Sequence, residues 1–426
     1  MKIKAIEAME ILDSRGNPTI EATVILENGH RATAAVPSGA STGSYEAVEL
    51  RDGDAKHYAG QGVQTAIKNV KTIIAPALIG MDASEQKAID DKMIALDGTE
   101  NKAKLGANAI LAVSLAVSRA AALSLDLPLY AYLAKFNPQF TGVYEMPVPM
   151  MNIMNGGKHA NWATDIQEYM ILPISAKNVT DAVRMCAEVY ANLKKVLKDH
   201  GYGVGIGDEG GFAPSVKKNK EPFELMGEAI TRSGYVLGTD IVFGIDAAAT
   251  EFFADGQYQL KKEKKVMDSA KLAKFYLKIA KLFPIRSMED IFAEDDWQGF
   301  ADFTKKTKGK VQIVGDDLYV TNIKRLERGI KEKTCNSILI KLNQIGTLSE
   351  TISAILMARQ NKMTAVISHR SGETEDAYIA DLVVAMGTGQ IKTGAPCRSE
   401  RTAKYNRLMK IEKELGDKAI MAKFPF

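Results

Sequence analysis

The chain has 426 residues, 46% of them hydrophobic and 25% charged; this ordinary globular composition excludes a disordered chain and allows two domains with a sizeable core. Lys plus Arg number 55 against 52 Asp plus Glu, a net charge of +3, too mild to make nucleic acid the main partner. Three cysteines, Cys186, Cys335 and Cys397, match neither a disulfide framework nor a zinc site and point to a reducing cytoplasm.

The opening "MKIKAIEAMEILDSRGNP" scatters charges through its apolar residues, so it does not read as a signal peptide. Residues 3–36 alternate like strands, with "DSRGNPT" and "ENGH" as turns, and predict a meander. Helical periodicity follows in "SYEAVELRDG", "VQTAIKNVKTIIAPALIG", "ASEQKAIDDKMIALDG" and "GANAILAVSLAVSRAAALSL", each ending at a Gly or Pro signal or a boundary. The apolar window from Ala109 meets Arg119 too soon to span a bilayer and predicts a buried helix. No membrane segment is expected. Asn137-Pro138 and Gly142 mark a boundary, which divides the chain into an α+β domain at 1–137 and a second domain at 138–426.

In "VGIGDEGGFAP", Val204–Pro214, Asp208 and Glu209 sit among glycines with no lysine or arginine nearby. The segment is either a solvated loop carrying a helix N-cap or a loop that aims an acid at a substrate. Further on, six apolar strands stop on a polar residue: Asp246, Glu289, Asp316, Lys341, His369 and Lys392. Subtracting residue numbers gives intervals of 43, 27, 25, 28 and 23, against roughly 31 for one unit of a (β/α)8 barrel of about 250 residues. The long first interval holds "TEFFADGQYQL", readable as a hairpin insertion, and "KKEKK" at 261–265 reads as a solvated turn.

An Asp after a strand is often the N-cap of the next helix. In a barrel, however, all C-terminal strand ends open on one face, where active sites lie, so these six side chains converge on one pocket. Asp246, Glu289 and Asp316 offer only oxygen ligands, which suits a hard cation and favours Mg²⁺ over Zn²⁺. Lys341 and Lys392 are either ion-pair partners or a base and a charge clamp. A lysine base needs its pKa lowered from about 10.4, and a second lysine and a metal ion act in that direction. Opposite them, a protonated carboxylic acid such as Glu209 can hand a proton to a leaving group.

"SGASTG", "NIMNGGKHA", "DIQEYM", "GDEGGFAP", "GIDAAATEF", "SMED", "VGDDLYVTN", "LIKLNQIGTLSE", "ISHRSGETED" and "QIKTGAPCRSER" occur in an order that resembles the enolase family, over essentially the whole chain. The resemblance implies a TIM-like α/β barrel with an antiparallel second strand, preceded by a smaller α+β domain. It implies the glycolytic interconversion of 2-phosphoglycerate and phosphoenolpyruvate with two Mg²⁺ per site, the second recruited with substrate. Asp246, Glu289 and Asp316 match the ligands of the first metal, and Ser41 matches a ligand of the second. Lys341 matches the base that removes the α-proton, and Glu209, assisted by Glu168, the acid that protonates the departing hydroxyl. His159 and Gln167 match pocket-lining groups, His159 also with a catalytic role, and His369, Arg370, Ser371 and Lys392 match groups that hold substrate.

The chemistry needs this apparatus, because removing a proton beside a carboxylate creates a dianion. Two divalent ions near 4 Å at an effective dielectric of 20 each contribute roughly 8 kcal/mol to a new negative charge, and enolase-superfamily sites pair a Lys or His base with one or two Mg²⁺. Lys158 and Trp162 beside His159, and Ile291 after "SMED", depart from the family pattern and bear on loop closure and affinity more than on reaction type.

The resemblance further implies a homo-oligomer, a dimer or an octamer of dimers. The ending "AKFPF" lacks the terminal lysine through which some surface-displayed relatives are said to capture plasminogen, and nothing in the sequence supports an RNA-decay partner. An acid-sugar dehydratase or racemase of the same superfamily is disfavoured by "QEYM" and "SHRSGE". A scaffold without catalysis is disfavoured because Glu209, Lys341 and the metal carboxylates are all present.

Overall fold

The computed structural model describes residues 1–39 and 43–426, with the side chain of His159 outside the description. The chain opens with an antiparallel sheet of β1 (Ile3–Leu12), β2 (Pro18–Leu26) and β3 (Arg31–Ala35), in that order. Asp13 makes the first turn, its Oδ1 accepting the Arg15 and Asn17 amides at 2.8 Å, as an Asx turn requires. The helix Ala107–Ser124 packs on β2 and β3 and is buried along almost its whole length. By length and composition this helix is apolar enough to cross a membrane. Here it is the core of the N-terminal domain, and Arg119 on it reaches across to Asp376 at 2.5 Å.

Two of the predicted helices need revision. Residues 44–53 form no helix, because their polar groups are used in tertiary contacts that replace i→i−4 bonds. Ala47 N–H donates to Gln344 O and Val48 N–H to Asn101 O, both at 2.8 Å, and Glu46 and Glu49 reach to the barrel. Residues 64–78 are helical as expected, but with a π-segment at Val70–Ile74. Pro76 cannot donate to the carbonyl four residues back, and the wider turn just before it takes up the mismatch, with Ala75 N–H bonded to Val70 O.

The second domain is a closed eight-stranded barrel. After β4 (Tyr144–Met146), its strands are β5 (Val148–Asn155), β6 (Glu168–Leu172) and β7 (Val242–Asp246). The insertion follows as a three-stranded meander, more than the expected hairpin, of β8 (Phe253–Ala254), β9 (Gln257–Leu260) and β10 (Lys265–Met267), with "KKEKK" turning between the last two. The barrel continues with β11 (Ile285–Glu289), β12 (Gln312–Gly315), β13 (Ser337–Ile340), β14 (Thr364–Ser368) and β15 (Gln390–Lys392). It closes by pairing β15 with β5 in parallel. β6 runs antiparallel to both its neighbours, so its first residue, Glu168, lies at the end where the other strands finish. Two helices, Val179–Asp199 and Glu221–Arg232, separate β6 from β7, and the glycine-rich Glu209 loop lies between them. β16 (Ala419–Met421) pairs with β4.

Strand alternation layers the barrel interior. Met150, Met170, Leu172, Val242, Val314, Leu339 and Val366 form a buried apolar cluster, capped by Ile174 and Phe424. Two residues before Val314, Leu339 and Val366 lie Gln312, Ser337 and Thr364, in one hydrogen-bonded layer with Ser287 and Gln390. The Gln312 amide nitrogen stands 3.1 Å from Ser337 Oγ, 2.9 Å from Thr364 Oγ1 and 2.7 Å from Gln390 Oε1. Two residues after Val314, Leu339 and Val366 lie Asp316, Lys341 and Ser368, and four after Val242 lies Asp246, at the C-terminal mouth.

Candidate active site

The mouth is assembled by register. Glu168, Asp246 and Glu289 are direct cross-strand neighbours on β6, β7 and β11, and Lys392 at the end of β15 points its ammonium among them. Its Nζ lies 2.7 Å from Glu289 Oε1 and 3.3 Å from both Glu168 Oε1 and Asp246 Oδ2. Burial alone would lower the Lys392 pKa, but these carboxylates hold it well above the usual lysine value. Lys341 donates to Asp316 Oδ2 at 2.5 Å, and Gln344 Nε2 takes the other oxygen at 2.8 Å. Here, too, burial pulls the ammonium pKa down and Asp316 more than offsets it, so Lys341 is held above its ordinary value. This reverses the direction expected from the neighbouring lysine, because Asp316 is in direct contact.

Glu209 reaches the mouth from the loop between the two helices. Asn152 Nδ2 donates to its Oε2 at 2.9 Å, and His369 Nε2 stands 3.6 Å from its Oε1. His369 Nδ1 accepts from Arg401 Nη1 at 2.6 Å, which assigns the ring proton to Nε2, facing Glu209. Burial, with Arg401 and Lys392 nearby, pushes His369 down to about 3, so the ring is neutral. Burial and the Glu209 charge raise Glu168 well above the carboxylate range, and burial and Asp246 do the same for Glu289. Arg370 is gripped by Glu46 of the N-terminal domain, and Arg401 also donates to the carbonyls of Arg370 and Ser371, at 2.5 and 2.6 Å.

Gln167, Glu168, Glu209, Asp246, Asp316, Lys341, His369, Arg370, Ser371 and Lys392 all line one cavity, and Glu289 joins them through Lys392. Ser41 lies outside the described residues, as does the His159 side chain. The family-atypical residues on the His159 loop are tied down locally. Lys158 pairs with Glu251 at 3.2 Å and Lys261 sits 5.5 Å over the Trp162 ring, while Asn161 and Trp162 hold left-handed φ angles of 48° and 59°. Ile291 is core.

Sequence reasoning missed several residues here. Asp290, the second acid of "SMED", takes φ 42° and accepts the amides of Asp316 and Asp317 at 2.9 and 2.8 Å, shaping the end of β12. Asp290, Asp316 and Asp317 offer oxygens all within 4.8 Å of one another, a trio that shares only Asp316 with the expected ligand set. Asn152, Gln344, Asn343 and Arg401 were also missed; a fully buried arginine gives no local signal in a helix whose other residues are largely polar.

The donor set fits magnesium. Its ligands are all oxygen, Glu289 Oε2 has no hydrogen-bond partner, and the cavity's carboxylates outnumber its cations, Arg370 being already paired with Glu46. Buried excess negative charge calls for a cation.

An eight-stranded barrel whose mouth gathers carboxylates, two lysines and a neutral histidine defines an α/β-barrel enzyme equipped for acid–base chemistry on a small molecule. The chain belongs to the enolase family. Residues 3–133 match "Enolase, N-terminal domain" and residues 143–424 match "Enolase, C-terminal TIM barrel domain". It is accordingly an enolase-family lyase, and proteins of this family typically use Mg²⁺.

Proposed function

We propose that the protein catalyses the reversible dehydration of 2-phospho-D-glycerate to phosphoenolpyruvate. One observation carries the reading: β13, which presents Lys341, and β6, which presents Glu168 beside Glu209, are four strands apart in the ring of eight. A base and an acid therefore face each other across the mouth, as removal of a proton from one carbon and a hydroxyl from the next requires.

In this reading neutral Lys341 takes the proton from the carbon that carries the carboxylate and phosphate. The electron pair left behind forms the carbon–carbon double bond as the hydroxyl of the adjacent carbon departs. Glu209 gives that hydroxyl a proton, so water leaves. Glu168 beside it disfavours two charges in one dry site and keeps a proton on the pair. Asp246, Glu289 and Asp316 would hold one Mg²⁺ and Ser41 would help to hold a second; bound there, the ions would supply positive charge to the substrate carboxylate and offset the Asp316 charge that favours protonated Lys341. Arg370, Ser371 and Lys392 hold the phosphate and carboxylate, with His159, Gln167 and His369 lining the pocket. Cytoplasmic residence, supported by three unpaired thiols, and a homo-oligomeric assembly complete the proposal.

The test follows the ultraviolet absorbance of phosphoenolpyruvate formed from 2-phosphoglycerate while Mg²⁺ is titrated and then chelated. Turnover that needs Mg²⁺ and disappears in Lys341→Ala is expected. No turnover by folded protein at saturating Mg²⁺ would remove the assignment and favour a scaffold role, and activity on acid sugars instead would favour a dehydratase.

A further inference from the structure

Among the described residues, Arg370 is the cation at the mouth whose position is fixed from outside the barrel. Its Nη1 donates to Glu46 Oε2 at 2.7 Å and to Asn343 Oδ1 at 2.8 Å, and its Nη2 donates to Glu46 Oε1 at 3.2 Å. Glu46 thus grips the end of the guanidinium with both oxygens, in a pair whose side chains are only 2% and 6% exposed. A bidentate carboxylate fixes the plane of a guanidinium as well as its location. Arg370 lines the catalytic cavity, whereas Glu46 lies behind it and lines a separate cleft between the domains.

Glu46 is itself held. Its Oε1 accepts the Gly43 amide at 3.0 Å and Gln344 Nε2 at 3.3 Å, and that same Gln344 nitrogen donates to Asp316 at 2.8 Å. Three residues on, Glu49 Oε1 accepts the Gly39 amide at 2.8 Å and Asn343 Nδ2 at 2.9 Å. Asn343 therefore bridges Glu49 and Arg370, and the non-helical course of residues 44–53 is what lets both acids reach the barrel.

We propose that Glu46 is a positioning residue that sets the Arg370 guanidinium for the substrate's anionic group, so that the anion-holding side of the site is built jointly by the two domains. The inference rests on Arg370 holding that group. It carries a sign that separates it from simple neutralisation. If Glu46 only reduced the positive charge of Arg370, removing its charge would tighten anion binding. If it sets the geometry, removing it loosens binding, because a misplacement of about 1 Å is enough to cost up to 10²-fold.

Calorimetric titration of inorganic phosphate into the full chain with Mg²⁺ tests this in Glu46→Gln, Arg370→Lys and the double variant. Expected are roughly tenfold or greater weakening in Glu46→Gln, weakening in Arg370→Lys, and a double variant no weaker than Arg370→Lys alone. In turnover, KM should rise more than kcat falls. Tighter or unchanged phosphate binding in Glu46→Gln, with Arg370→Lys weakened, overturns the inference and leaves the function standing. Unchanged binding in Arg370→Lys overturns both this inference and the role given to Arg370. Should Glu46→Gln fail to fold, Glu46→Asp keeps the charge but draws it back by one methylene. Weakened phosphate binding is then expected, and wild-type affinity refutes the proposal.

Discussion

The two ends of the barrel interior are both polar, and they are polar in opposite ways. The lower layer is neutral and closed on itself: Ser287 Oγ donates to Gln312 Oε1 at 2.9 Å, Gln390 Nε2 donates to the same oxygen at 3.2 Å, and Gln312 Nε2 serves Ser337, Thr364 and Gln390. None of its side-chain atoms is left without a hydrogen-bond partner among the described residues, whereas at the mouth Asn152 Oδ1, Gln167 Oε1 and Glu289 Oε2 are. Buried polar groups are normally satisfied. Polarity inside a barrel therefore does not mark a site; unmatched charge and unused acceptors do.

Four experiments would break or sharpen this contrast. Glu209→Gln at the mouth should slow dehydration by roughly 10²–10⁴-fold, the range for losing a positioned acid, while exchange of the α-proton with solvent is slowed less. Equal slowing of the two steps would withdraw the assignment of Glu209 as leaving-group acid. Next, Lys392→Met leaves three carboxylates without their ammonium and should cost about 3–5 kcal/mol in urea unfolding. A loss below about 1 kcal/mol would mean that the mouth does not depend on this cation.

The third experiment uses pH. His369 is held neutral with its pKa at about 3, against an ordinary 6.5. The unfolded chain therefore binds the proton first, and the stability this group contributes is intact above pH 6.5 and is lost as pH falls toward 3. Between pH 7 and 5 the wild type should lose about 2 kcal/mol more than His369→Gln; parallel pH profiles would contradict a neutral buried ring. The smallest effect belongs to the floor. Ser287→Ala should cost about 1 kcal/mol of stability, the value of one hydrogen bond, with kcat and KM unchanged, and a change in either would show that the two ends are coupled.

The sequence made the mouth legible because six parallel strands carry their chemistry as the last or next residue, and all open on one face. β6 escaped that rule, since a strand that runs the other way brings its first residue, Glu168, to the mouth, and only the family resemblance flagged it. The floor was invisible for a related reason: Gln312 and Gln390 lie near strand beginnings, where a polar residue reads as loop. Residues 44–53 carry a real helical periodicity, and only the barrel, which supplies Arg370, Gln344 and Asn343 as partners, holds them out of a helix. The direction of the Lys341 shift was likewise unreadable, because residue spacing does not reveal that Asp316 would lie 2.5 Å away.

Barrel closure between β5 and β15 also sets an order of events during synthesis. β5 leaves the ribosome long before its partner, and at 5–20 residues per second the interval from Val148 to Gln390 takes roughly 10–50 s. During that time β5, whose residues all end up buried, presents an unpaired edge of the kind that recruits other chains. β4 waits longer still, for β16. The nascent barrel is therefore an aggregation-prone stage in the life of this protein, and shielding residues 148–155 until the last strand arrives should raise the yield of folded chains.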